Sequence, residues 1–133
     1  MAEVAPGAEF QFIAHLPEWG LDFPVESSDW GGGLPTVKPE SGSTVWGAVF
    51  AVADRELRHL DAVEGAEQRV RSVVEAMDRN GRRHQVAVHL HPANGNGTHR
   101  PSADYLRIML DGSRHWSLPA GWIAGLEEHL QKT

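Results

Sequence analysis

The 133-residue sequence contains no cysteine, so no disulfide, thiolate metal centre or cysteine nucleophile is available to it. No apolar run approaches the roughly 20 residues that a membrane span requires. Met1 to Glu9 have neither the basic start nor the apolar stretch of a secretory signal, so a cytoplasmic protein is expected. Asn96-Gly97-Thr98 matches a glycosylation acceptor, but without such a signal it reads as a loop. An excess of basic charge is also missing. Twelve Lys and Arg stand against 18 Asp and Glu, for a formal net charge of -6. A nucleic-acid partner is therefore not expected, because binding one depends on a basic face that displaces counterions. Arg69, Arg71, Arg79, Arg82 and Arg83 flank one hairpin and read as solvated strand ends. Tyrosine is scarce too, one against five tryptophans, which points to a few bulky anchors in a core or pocket.

What remains is the composition of an ordinary globular domain, 41% hydrophobic and 23% charged. Residues 1–8 are small and polar and read as a flexible tail; residues 9–133 read as a single domain. Glu9 to Leu16 alternates as a strand does, and Trp19 to Pro24 continues as a second after the break at Pro17-Glu18. Trp30-Gly31-Gly32-Gly33 reads as a loop free to adopt positive φ or to approach another group closely. No Lys-Ser/Thr pair follows it, so it is not a phosphate loop. Leu34 to Lys38 and Thr44 to Val52 read as strands around a turn at Glu40-Ser41-Gly42. Val45, Trp46, Val49 and Phe50 are apolar on both faces of the second, which suggests a central, buried strand.

Asp54 is a good helix cap. The helix Arg55 to Val63 places Leu57, Leu60 and Val63 on one stripe, and Gly65 is expected to end it. Val70 to Met77 and His84 to His91 flank Asn80-Gly81, a strong hairpin signal. Pro92 to Arg100 reads as loop. Ser102 caps one further helix, and Pro119 opens a last one. The sum is an α+β plan with about five or six strands, one inserted helix and two C-terminal helices.

Few side chains point to chemistry. His89 and His91 lie on one face of a strand and, with His99, invite a metal; half-exposed strand histidines are commoner, and no metal is assigned. No Gly-x-Ser-x-Gly elbow supports a serine nucleophile. Trp46 and Trp122 follow core patterns, whereas Trp30 in the glycine loop is a pocket candidate. Glu64 ends a helix, where the macrodipole disfavours negative charge, and it lies beside a core-facing stripe. It is the first candidate for a general base, although the local sequence alone favours an exposed residue in a helix-terminal turn.

Several segments occur in a telling order: Trp30-Gly31-Gly32-Gly33, Val45-Trp46-Gly47, Leu60-Asp61-Ala62-Val63-Glu64-Gly65, then Pro101-Ser102-Ala103-Asp104-Tyr105, Asp111-Gly112-Ser113 and Leu118-Pro119. From about residue 13 onward this succession resembles the γ-glutamylcyclotransferase superfamily, which includes the plant AIG2-like proteins. The resemblance implies a small, mixed, barrel-like sheet flanked by helices. It implies a metal-free and cofactor-free reaction on a γ-glutamyl compound. There the substrate's α-amine attacks its own γ-carbonyl, closes 5-oxoproline and expels an amine. Glu64 maps onto the family's base, and Tyr105 onto a tyrosine of the pocket.

Trp30, Gly31, Gly32, Tyr105 and Arg71 are the expected substrate-binding residues. The sequence departs from the family in two places. The Tyr-Gly-Ser-Asn motif, whose amides cradle the substrate's carboxylate, does not occur in it. Residues 13–23 look like the strand after that motif, so the chain is expected to begin beyond it. The family's Tyr-x-Arg after Glu-Gly reads Arg69-Val70-Arg71 here, which offers Arg69 or Arg71 as a carboxylate ligand. A second expectation follows from the missing cradle: a non-catalytic binding or assembly domain, whose exposed sheet edge pairs with a second copy.

Overall fold

Two long strands take the place of four short ones. In the computed structural model, which describes residues 6–91 and 99–132, β1 spans Glu9–Ser27 and β2 spans Gly32–Ala51. They pair antiparallel along their whole length, with register shifts at Pro17/Trp19 and Asp22/Val25. The expected break at Pro17-Glu18 is a bulge. Glu18 adopts φ 65°, and Pro17 pairs with Thr44 while Trp19 pairs with Pro39. The residues of β2 between those partners, including the expected turn Glu40-Ser41-Gly42, loop out of register. The Gly42 N–H is caught by the Glu18 carboxylate at 2.9 Å. Prolines fall at these irregularities because they cannot donate to a regular ladder.

The chain continues through α1 (Asp54–Ala66), β3 (Val70–Asp78), β4 (Arg83–Leu90), α2 (Ala103–His115) and α3 (Ala120–Gln131). Among the described residues the sheet has four antiparallel strands in the order β2-β1-β3-β4. It is not closed. Parallel pairing is confined to one isolated bridge, Gly33 to Pro101, so the expected mixed, five- or six-stranded sheet is an antiparallel one of four. The β3–β4 hairpin turns where Asn80-Gly81 predicts. Gly81 has φ 80°, and the Asp78 carboxylate accepts from the N–H groups of Asn80 and Arg82.

β2 is an outer strand, not a central one. Both its faces are nonetheless covered, which is why its sequence is apolar on both. Val45 and Val49 pack inward on Ala14, Leu16 and Ala76. On the other side Trp46 stacks on His15, and Phe50 meets Phe10 and Trp116 edge-on. A second core joins β1 to the C-terminal helices through Phe23, Leu106, Leu110 and Leu126.

Both ends of α1 differ from expectation. The cap is Ala53 without a side-chain bond, and Asp54 lies inside the first turn with Glu56, where acidic groups favour the dipole. At the other end Gly65 is still helical. The chain reverses three residues later at Gln68, with φ 69°. Gln68 N–H donates to the Gly65 carbonyl and Arg69 N–H to the Glu64 carbonyl, the paired bonds of a Schellman motif. A left-handed glutamine was not legible because glycine usually takes that place. Of the expected tail, residues 1–5 lie outside the described residues, while the Gly7 N–H bonds the Glu56 carboxylate. Residues 92–98, with most of the expected loop and the glycosylation-type triplet, also lie outside them.

Candidate active site

The helix reversal at Gln68 brings Arg69 back onto the last turn of α1. There its Nη1 lies 2.8 Å from the Glu64 carboxylate and 3.2 Å from that of Glu67. Its Nε and Nη2 both donate to the Pro35 carbonyl of β2, at 3.3 and 2.7 Å. Its guanidinium carbon lies 5.5 Å from the centre of the Tyr105 ring. The side chain is only 4% exposed, so a charge stripped of water is repaid by two carboxylates, a carbonyl and an aromatic ring. Burial alone depresses the Arg69 pKa. Tyr105, Glu64 and Glu67 together outweigh that effect and leave it raised. Burial pushes the Tyr105 phenol above its ordinary value, with Arg69 opposing, so Tyr105 is a neutral donor at neutral pH.

Tyr105 owes its place to the start of α2. Ser102 is fully buried; its hydroxyl accepts the Tyr105 N–H and donates to the Trp30 carbonyl at 2.7 Å. The glycine loop makes that approach possible. A Cβ on Gly32 would lie 2.8 Å from the Ser102 Cα, and Gly33 exchanges backbone bonds with Arg100 and Ser102. Trp30 then leans on Tyr105, with ring centres 4.8 Å apart.

Glu64, Arg69 and Tyr105 line one wall of a cavity of about 430 Å³. The other walls are apolar and come from all four strands, among them Leu16, Val45, Ala76 and Val86. His89 also lines it, with Nε2 held 2.8 Å from Asp61. The cavity is the inner face of the curled sheet, and α1 and α2 each bring polar groups to its rim.

Of the residues expected at a site, Glu64 and Tyr105 come together. Trp30 reaches the group through Tyr105 and does not itself line the cavity. Gly31 and Gly32 serve the backbone junction with residues 100–102. Arg71 faces away, 41% exposed and 3.6 Å from Asp61, and Arg69 takes the place beside Glu64. Arg69 lies in the reversal just before β3, whereas Arg71 is the second residue of that strand. His91 does not join His89. Its Nε2 donates to the Glu67 carbonyl at 2.7 Å and its backbone N–H to Thr36, while burial lowers its pKa. His99 lies 3.8 Å from Glu26. Among the described residues, no three His, Asp or Glu side chains gather as a metal site would require. No helix among them is long and apolar enough to cross a membrane.

A sequence profile of the AIG2-like family matches residues 44–126, well over half the chain and including Glu64, Arg69 and Tyr105. The chain belongs to the AIG2-like family. Human γ-glutamylcyclotransferase is 27% identical over 118 residues, covering 86% of this chain and 63% of that protein. The mouse γ-glutamylcyclotransferase is 26% identical with the same coverage. This AIG2-like chain thus spans somewhat under two thirds of the length of these curated relatives. A solved γ-glutamyl cyclotransferase superposes with a TM-score of 0.86 at 26% identity, covering 95% of this chain and 77% of that one. YkqA from Bacillus subtilis, at 19% identity and TM-score 0.76 over 92% of this chain and 45% of its own, shares the fold.

Proposed function

We propose that the chain carries out a γ-glutamylcyclotransferase-type acyl transfer, with Glu64 as the general base. One observation carries this reading: in an AIG2-like chain, Glu64 lines a largely apolar cavity together with Tyr105, each of them against Arg69. The substrate's α-ammonium gives a proton to Glu64. The freed amine attacks the γ-carbonyl carbon, forming the ring C–N bond. The bond to the γ-amide nitrogen breaks as Glu64 returns that proton to it. The ring nitrogen's surplus proton then passes through the freed carboxylate to the released amine, which departs as its ammonium and leaves one N–H on the ring. Both reacting groups belong to one molecule, so holding it folded supplies much of the acceleration. No atom changes oxidation state, and the step as written draws on no cofactor. The test is incubation with a panel of γ-glutamyl amines and peptides, followed by detection of 5-oxoproline. Release of 5-oxoproline from at least one compound is expected; silence across the panel overturns the reading.

A second reading, a non-catalytic domain that binds a small molecule in the same cavity, is favoured by a different observation. Arg69 is the only lysine or arginine among the described residues lining the cavity, and each of its three side-chain nitrogens already meets an oxygen of the chain. Binding seen by calorimetry with no product formed would favour it. Because β2 and β4 are the outer strands, this reading extends to edge pairing with a second copy. A monomer by light scattering at every concentration overturns that extension.

A further inference from the structure

A carboxylate on a flexible side chain does not aim itself. The Glu64 side chain is 25% exposed, and most of the other residues lining the cavity are apolar. Among the described residues, the group that meets its carboxylate is Arg69 Nη1 at 2.8 Å. Arg69 is itself held at both ends. Its backbone N–H closes the Schellman motif on the Glu64 carbonyl, and its Nε and Nη2 straddle the Pro35 carbonyl on β2. The guanidinium is planar, so two nitrogens fixed on Pro35 fix the direction of the third.

We propose that Arg69 is a positioning residue: clamped on the Pro35 carbonyl of β2, it fixes the direction in which the Glu64 carboxylate faces the cavity. The inference rests on the proposed role of Glu64 as base and adds the residue through which that base is aimed. Arg69 acts in this arrangement through the Glu64 carboxylate rather than on the substrate. It ties the end of α1 to β2, so the base keeps its place relative to the sheet that forms the rest of the cavity. Arginine is required for this. A lysine ammonium is a point charge on a flexible stem, and one nitrogen cannot span Pro35 and Glu64 in a fixed plane.

Arg69→Lys tests this, because it keeps the charge and removes the clamp. With γ-glutamyl substrate, kcat is expected to fall about tenfold or more while KM stays within about twofold, since misplacing a reacting group by an ångström costs rate rather than binding. An unchanged kcat overturns the proposal; so does a loss confined to KM. A role in folding alone would reduce the amount of active enzyme and leave kcat per folded molecule intact. The second measurement is independent of turnover and of whether Arg69→Lys folds. Nitrogen-15 NMR of the Arg69 guanidinium in the unmodified chain is expected to show slowly exchanging Nη protons, with one signal displaced in Glu64→Gln. Identical Arg69 signals in the two proteins overturn the proposal. If no γ-glutamyl compound reacts, the reaction assigned above fails, and the NMR comparison still decides whether Arg69 holds Glu64.

Discussion

Arg69 grips Glu64 twice, through its backbone N–H on the Glu64 carbonyl at 3.0 Å and through Nη1 on the carboxylate at 2.8 Å. The first bond joins the Glu67 N–H on the Glu64 carbonyl at the end of α1, and the second sets a cation against an acid placed where the helix dipole opposes it. Local helix-ending chemistry and the candidate site are thus one piece of structure.

Replacing Glu64 by glutamine removes the proton acceptor at nearly constant shape. A positioned general base contributes about 10²–10⁴-fold, so 5-oxoproline release should fall by a factor in that range. Glu67 still partners Arg69, so the circular dichroism spectrum should stay that of the unmodified protein. Turnover at the original rate would remove Glu64 from the mechanism.

Gln68 holds φ 69° at the reversal after α1. A left-handed non-glycine residue costs roughly 1–2 kcal/mol, part of which glycine gives back through its freer unfolded state. Gln68→Gly should therefore raise the unfolding free energy by about 0.5–1 kcal/mol. Urea denaturation measures it, and a lowered midpoint would contradict the Schellman geometry.

Ser102→Ala deletes a helix cap and leaves the Trp30 carbonyl without its hydroxyl donor at a fully buried position. The cap and the orphaned acceptor together should cost about 2–3 kcal/mol. Thermal unfolding should show the loss. Trp30 fluorescence should shift as well, because the same hydroxyl ties the glycine loop to α2.

His91 gives a pH dependence with a definite sign. Its Nε2 must carry the proton donated to the Glu67 carbonyl, so Nδ1 is a buried lone pair with no partner among the described residues. Burial lowers its pKa in the fold, helped by nearby Arg69 and opposed by the bond to Glu67. The unfolded chain therefore binds a proton first as pH falls. Stability should be full above the unfolded value of about 6.5 and should decline as pH drops from there through the lower folded value. His91→Gln should flatten that part of the profile. A stability that rises on acidification through this window would reverse the sign and refute the assignment.

Much of the fold can be read from local chemistry. The Asn80-Gly81 turn, the Ser102 cap and the stripe Leu57, Leu60 and Val63 depend on residues within a few positions of one another, and the structure has the turn, the cap and the helix there. The strand count could not be read in the same way. Pro17-Glu18 and Glu40-Ser41-Gly42 carry the chemistry of breaks, but the two irregularities face each other and are absorbed as one bulge in a continuous pair. Nor was β2's outer position legible, because an edge strand covered by aromatic rings on one face and by a cavity wall on the other has the pattern of a central strand.

The candidate site divides along the same line. Taken locally, Glu64 reads as an exposed residue in a helix-terminal turn; it and Tyr105 stand out in the sequence through the ordered segments that carry the family resemblance. Trp30 too is visible there, as a large ring among glycines. What the residue order alone could not decide is which arginine serves Glu64. Arg69 and Arg71 are the same residue type two positions apart, at the start of one expected strand. The choice depends on a left-handed turn at a glutamine and on a carbonyl 34 positions earlier in the chain. Those are long-range and conformational facts, and only the folded chain makes Pro35, Glu64 and Arg69 neighbours.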